Sequence, residues 1–142
     1  MTHTQRWHAH HHSAGTGPVY QGRFKSFPVQ TDAHFLSVAR YVERNALREK
    51  LVDRAEAWQW GSLWRRTQGD AKLRAWLSDW PVARPGDWIA RVNRTDTTSE
   101  LEALRLSVQR GRPFGEERWM HRLCKRCGLD STLRPRGRPK GS

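Results

Sequence analysis

The sequence predicts a mainly α-helical chain with one or two short strands. Three features lead there. Apolar residues at Phe35, Val38, Ala39, Val42, Ala46 and Leu47 recur every three to four positions, the period of one buried helix face. Two further helices are marked by their ends. Ser99 and Glu102 are spaced as a capping box ahead of Leu101, Leu104 and Val108, and a helix over about 116–127 stops at Gly128. Strand-like alternation of β-branched and aromatic residues is confined to "VYQGRFKSFPVQ", residues 19–30.

The elements follow in order. Residues 1–18 are polar, His-rich and without a period, and read as a loop. Asp32 is placed to cap the helix that runs over about 32–50. "AEAWQWGSLWRR" reads as a short turn that plugs Trp58, Trp60 and Trp64 into the core. Residues 67–96, punctuated by Pro81, Pro85 and Gly86, form a connecting region with short helical turns. Residues 97–130 hold a basic helical pair with Trp119, Met120 and Leu123 inward. That pair is compatible with a helix-turn-helix-like element, or with a helical hairpin that packs on residues 1–66. The tail, 131–142, cannot build a core.

Charge narrows the function classes. The chain of 142 residues carries a formal charge of +12 and a pI near 11.1, which points to a polyanionic partner. No apolar run approaches the roughly 20 residues of a membrane-spanning helix, and "MTHTQRWHAHHHSAG" has no apolar signal-peptide core. The expectation is a cytoplasmic, nucleoid-associated protein of bacterial type. The charge is concentrated at the two ends. Residues 1–66 hold ten Lys/Arg against five Asp/Glu, 67–104 five against six, and 105–142 eleven against three. Two separate surfaces touching nucleic acid would give such a pattern.

Three local motifs invite sharper readings. Cys124 and Cys127 with His121 supply only three zinc ligands, and at i, i+3 and i+6 they drift around one helix, so ordinary reduced thiols are expected. His8 and His10 satisfy a His-hydrophobe-His pattern that on a strand could hold a divalent metal for phosphoryl transfer, but the flanks "TQR" and "SAGTG" lack the apolar neighbours of such a strand. The tail sequence Pro-Arg-Gly-Arg-Pro, residues 135–139, matches an AT-hook core, in which Arg136 and Arg138 would enter an A·T-rich minor groove. A disordered basic tail contacting phosphates without preference fits the same residues.

Three longer stretches stand in order: Gln21-Gly22-Arg23-Phe24-Lys25-Ser26, then Arg40-Tyr41-Val42-Glu43-Arg44-Asn45-Ala46-Leu47-Arg48, then Trp58-Gln59-Trp60-Gly61-Ser62. Together they resemble the REP-associated tyrosine transposases, a branch of the single-tyrosine HUH transposases. Arg-Gly-Arg-Pro-Phe-Gly at 110–115 and the tail resemble the C-terminal part of such proteins. The resemblance implies an α+β fold with a small antiparallel sheet, and metal-dependent cleavage and rejoining of single-stranded DNA through a 5′-phosphotyrosine intermediate. It puts the nucleophile on Tyr41 and makes Asn45, one turn on, a ligand of Mg²⁺ or Mn²⁺. A phenol of pKa about 10 needs such help with the phosphate's charge. Arg23, Lys25, Arg40, Arg44, Arg48, Arg110, Arg112, Arg134, Arg136 and Arg138 are the expected DNA contacts. The implied partners are hairpin-forming single-stranded repeats and a second copy of the chain.

The chain departs from the family pattern at Ala46, where a proline is usual, and at Gly61, where a serine is. It also has only twenty residues before Gln21. "THTQRWHAHHHSAGTG" resembles the segment that in the family follows the HUH strand. The expectation is therefore that residues 1–66 are the C-terminal part of a catalytic domain, with the HUH histidines and most of the family sheet missing, and that His8 and His10 are not that pair. Two rival readings are a non-catalytic DNA-binding module and a basic RNA-binding protein.

Overall fold

The computed structural model describes residues 2–13, 19 and 24–134. Among these residues it is mainly helical, and its only β-pairing is an isolated parallel bridge between Val29 and Phe114. The one or two strands expected over 19–30 do not form among the described residues. Residues 24–28 are irregular, and Pro28, which has no N–H to give, uses its carbonyl to accept from Phe114 N at 2.8 Å. Gln30 N in turn donates to Phe114 O at 3.1 Å, and Gln30 Oε1 accepts from Glu116 N at 2.6 Å. Two stretches far apart in the chain, residues 28–30 and 114–116, thus meet backbone to backbone. Gly115 permits this, because a Cβ there would lie 2.5 Å from Gln30 Oε1.

The N-terminal segment departs from the expected loop. Residues His3–His10 form helix α1, started by a capping box between Thr2 and Gln5, and none of its residues is buried. The tyrosine helix lies close to where its period places it. α2 spans Asp32–Glu43 and α3 Asn45–Arg48, separated by a pinch at Arg44 (φ −81°, ψ −5°). The hydrogen-bond ladder continues through the pinch, from Arg44 N to Arg40 O and from Arg48 N to Arg44 O, both at 2.9 Å. The cap is Thr31, whose hydroxyl accepts from His34 N, and Asp32 instead occupies the first turn, where its charge suits the helix dipole. Lys50, in the left-handed region at φ +57°, ends the run, with Leu51 N closing back on Ala46 O.

The core forms where α2 and α3 meet a 3₁₀ turn (Ala55–Ala57), α4 (Ser62–Thr67) and α6 (Trp88–Asn93). Ala55, Leu63, Trp88 and Val92 are its buried members, with Leu36, Ala39, Leu47 and Trp80 against them. The rings of Phe35, Trp80 and Trp88 continue it edge to face, at centroid distances of 5.6 and 5.0 Å. Glu43 locks the seam by accepting from Ser62 Oγ and from Trp88 Nε1, each at 2.7 Å. The fully buried tryptophan is thus Trp88, from the stretch read as a connection. The three expected to plug the core do so incompletely: Trp58 and Trp64 are half-buried and Trp60 is 68% exposed. A short helical turn, α5 (Ala71–Arg74), bridges α4 and α6 in the chain.

α7 spans Thr98–Arg110 and α8 Glu117–Cys127. The capping box of α7 is Thr97 with Glu100, two residues before the expected pair, because Thr97 is the residue with extended backbone. Gly128, at φ +67°, stops α8 as expected. Leu104 and Ser107 of α7, Pro113, and Met120, Leu123 and Cys124 of α8 are buried. A second 3₁₀ turn, Asp130–Thr132, returns against α8, and Arg110 ties it down by donating to the carbonyls of Ser131 and Arg134.

Candidate functional site

Arg40, Arg44 and Arg48 recur at every fourth residue, so they fall on one face of the tyrosine helix. The structure brings all three to one carboxylate, Asp96, in the link between α6 and α7. Its oxygens lie 3.0 Å from Arg40 Nη2, 3.4 Å from Arg44 Nε and 3.7 Å from Arg48 Nη1. Arg40 also donates to the carbonyls of Arg94 and Thr95, both at 3.0 Å, and Arg44 to that of Val92 at 2.9 Å. The side chains of Arg44, Arg48 and Asp96 are each only 12% exposed. Three guanidiniums therefore clamp the end of α6 and the start of α7 onto the tyrosine helix. Asp96 was not singled out in the sequence. An isolated aspartate before a capping threonine looks like helix-entry chemistry, and only the fold reveals the three partners.

Tyr41 and Asn45 meet in the same cluster. The Arg48 guanidinium stacks over the Tyr41 ring, 4.2 Å from its centroid, and its Nη2 donates to Asn45 Oδ1 at 2.9 Å and to the Tyr41 carbonyl at 3.3 Å. Tyr41 is half-buried and Asn45 exposed. On its other side Asn45 lines a cleft of about 450 Å³ with Val42, Trp58, Trp60 and Arg65.

The Mg²⁺ or Mn²⁺ that the resemblance implies would take Asn45 Oδ1, but that oxygen already accepts from Arg48, and the neighbouring carboxylates are engaged too, Asp96 by three arginines and Glu43 by Ser62 and Trp88. No group of three or more His, Cys, Asp or Glu gathers around a common point among the described residues. The described residues do not fit a divalent ion by themselves.

The other sequence candidates are dispersed. His8 and His10 lie on α1, and residues two apart on a helix point to different sides, so strand-like convergence is lost. His8 Nδ1 is hydrogen-bonded to Ser13 Oγ at 3.0 Å. Cys124 is buried, Cys127 and His121 are exposed, and both thiols are free. Lys25 and Arg134 are exposed; Arg112 lines a shallow cleft with Leu133 and Arg134. Arg23, Arg136 and Arg138 lie outside the described residues, as does the AT-hook-like core.

Two carboxyl groups are shifted. At Glu56 burial pushes upward, but hydrogen bonds from Asn93, its own backbone and Arg54, with the Arg54 charge, outweigh it and hold the group below its ordinary 4.5. At Glu100 hydrogen bonds from the Thr97 hydroxyl and backbone N–H lower it, against a smaller upward push from burial. Both are structural: Glu56 braces Asn93 of α6, and Glu100 completes the α7 capping box.

No protein-family model, curated protein or solved structure matches this chain. No helix among the described residues is long and apolar enough to cross a membrane.

Proposed function

We propose that the chain is a transposase-related DNA-binding protein, with Tyr41 as the nucleophile of a strand-cleavage and rejoining reaction. The observation that supports this is the contact of Tyr41, Asn45 and Arg48, three residues of the family-like helix, through one guanidinium. In the proposed reaction Tyr41 Oη attacks a DNA phosphorus. An Oη–P bond forms, the bond from phosphorus to the 3′ oxygen breaks, the phenol gives up its proton and the leaving 3′ oxygen gains one. A 5′-phosphotyrosine and a free 3′-hydroxyl result. Arg48 puts a fixed positive charge beside the nucleophile, where the phosphate's charge must be met. A divalent ion, if the reaction uses one, needs ligands beyond those gathered here. Net charge, concentrated outside 67–104, supports DNA as partner.

One observation favours a second reading, a non-catalytic DNA-binding module. Arg40, Arg44 and Arg48 are spent on Asp96 and on backbone carbonyls, and Arg48 occupies the amide oxygen that would bind metal. In that reading the Tyr41 cluster is a structural clamp and other basic surfaces hold the DNA.

One experiment separates the two. The protein is incubated with a 3′-labelled, hairpin-forming single strand and Mg²⁺ or Mn²⁺, then denatured and resolved on a gel. The catalytic reading expects a covalent adduct that disappears in Tyr41→Phe. Non-covalent binding of the hairpin with no adduct in any condition rejects Tyr41 as nucleophile and leaves the binding module.

A further inference from the structure

We infer that the outer face of α8 docks on the phosphate backbone of a base-paired DNA stem, an inference that rests on the DNA-binding reading above. Arg118, Arg122, Lys125 and Arg126 are all exposed on this helix. At about 100° per residue they fall within about 100° of arc, on the side away from the buried Met120, Leu123 and Cys124. From Arg118 to Arg126 they span about 12 Å along the axis.

Together they form one strip without an anion. Arg40, Arg44 and Arg48 are neutralised by Asp96, Arg54 by Glu56 and Arg91 by Asp87. Among the described residues none of the four on α8 makes an ion pair or a side-chain hydrogen bond, and the nearby Glu117 faces His121 at 3.9 Å. The helix dipole favours cations only in the last turn, which accounts for Lys125 and Arg126. It disfavours Arg118, the second residue of the helix, and is indifferent to Arg122. Four like charges on one strip also repel one another. A polyanion laid along the strip removes that repulsion and releases counterions.

The form of the strip selects the paired stem. A straight row of charges on a rigid helix suits a backbone with regular phosphate spacing. No aromatic ring lies between the four cations to stack an unpaired base, as sites for single strands usually provide; the Trp119 ring packs instead where Gly115 leaves room for it.

The test uses the full chain and fluorescence anisotropy on a labelled DNA hairpin, an unstructured DNA strand of equal length and an RNA hairpin, across 50–300 mM salt. Two variants lose four charges each: R118Q/R122Q/K125Q/R126Q on α8, and R6Q/K50Q/K72Q/R74Q at exposed sites elsewhere. Circular dichroism verifies that both keep the wild-type fold. For the DNA hairpin the α8 variant is expected to lower the slope of log affinity against log salt by about 3.6, and the control variant by less than about 1. Equal losses in the two variants would overturn the surface while leaving DNA binding standing. Preference of the wild type for the RNA hairpin or the unstructured strand would overturn the paired DNA stem as its ligand. No binding of the wild type to any DNA would overturn both readings together.

Discussion

Asp96→Ala should destabilise the protein well beyond the cost of an ordinary surface substitution. The carboxylate meets three guanidiniums at 3.0, 3.4 and 3.7 Å and is 12% exposed. Removing one member of a buried ion pair typically costs about 3–5 kcal/mol, because the partner charge is left desolvated. Two features reduce that figure here. Arg40 and Arg44 keep their backbone carbonyl acceptors, and residual exposure lets water reach the vacated site. One feature opposes the reduction: Arg40 Nε and Arg48 Nη1 are buried without a hydrogen-bond partner, and Arg48 Nη1 faces the Asp96 carboxylate at 3.7 Å. A net loss of about 2–3 kcal/mol follows, or roughly 6–12 °C in Tm for a chain of this length. Thermal unfolding by circular dichroism measures the shift. A cycle with Arg44→Met should give a coupling of at least about 1 kcal/mol, since the second change relieves an already unpaired charge. A Tm within about 2 °C of wild type, with no coupling, would refute the clamp and imply that the three arginines are solvated.

Three further outcomes are expected. Arg48→Lys keeps the charge but loses the planar stack on Tyr41 and the directed bond to Asn45, so it should cost about 1–2 kcal/mol in urea unfolding; a neutral result would show that charge alone matters. Leu63→Ala, at a residue 1% exposed in the core, should cost about 2–5 kcal/mol, and a loss below 1 kcal/mol would mean that this core is not close-packed. Glu56 and Glu100 have folded pKa values below their ordinary 4.5, so their contribution is present above that pH and is lost as pH falls through the lowered values. Stability followed from pH 7 to pH 3 should therefore drop below about pH 4.5, and Glu56→Gln should flatten part of the drop. An unchanged acid slope in that variant would remove Glu56 from the account.

The site residues differ in how far sequence could place them. Helical period alone set Tyr41, Asn45 and Arg48 side by side, because neighbours on a helix are fixed by 3.6 residues per turn. Period also put Arg40, Arg44 and Arg48 on one face, but could not say what that face meets. A free basic face was expected to contact phosphate. The structure supplies an internal anion, Asp96, about fifty residues away in the chain. Conversely, the cations on α8 that remain without partners look no different in sequence from those that find a carboxylate.

Helix ends and hydrophobic stripes were legible because their causes are local. Gly128 reaches φ +67° without strain, the stripe from Phe35 to Leu47 follows the helical period through α2 and α3 except at Val42, which is 60% exposed, and Met120 and Leu123 sit one turn apart. Local chemistry misleads where two candidates compete. Thr97/Glu100 prevailed over Ser99/Glu102, Thr31 over Asp32, and α1 formed where a loop was expected. The tertiary structure alone decided that residues 28–30 spend their backbone groups on the 114–116 turn, that Trp88 rather than Trp60 fills the core, and that three arginines close on Asp96. Each of these depends on which distant groups arrive to desolvate or neutralise a residue, and a residue's own neighbours in sequence carry no record of that.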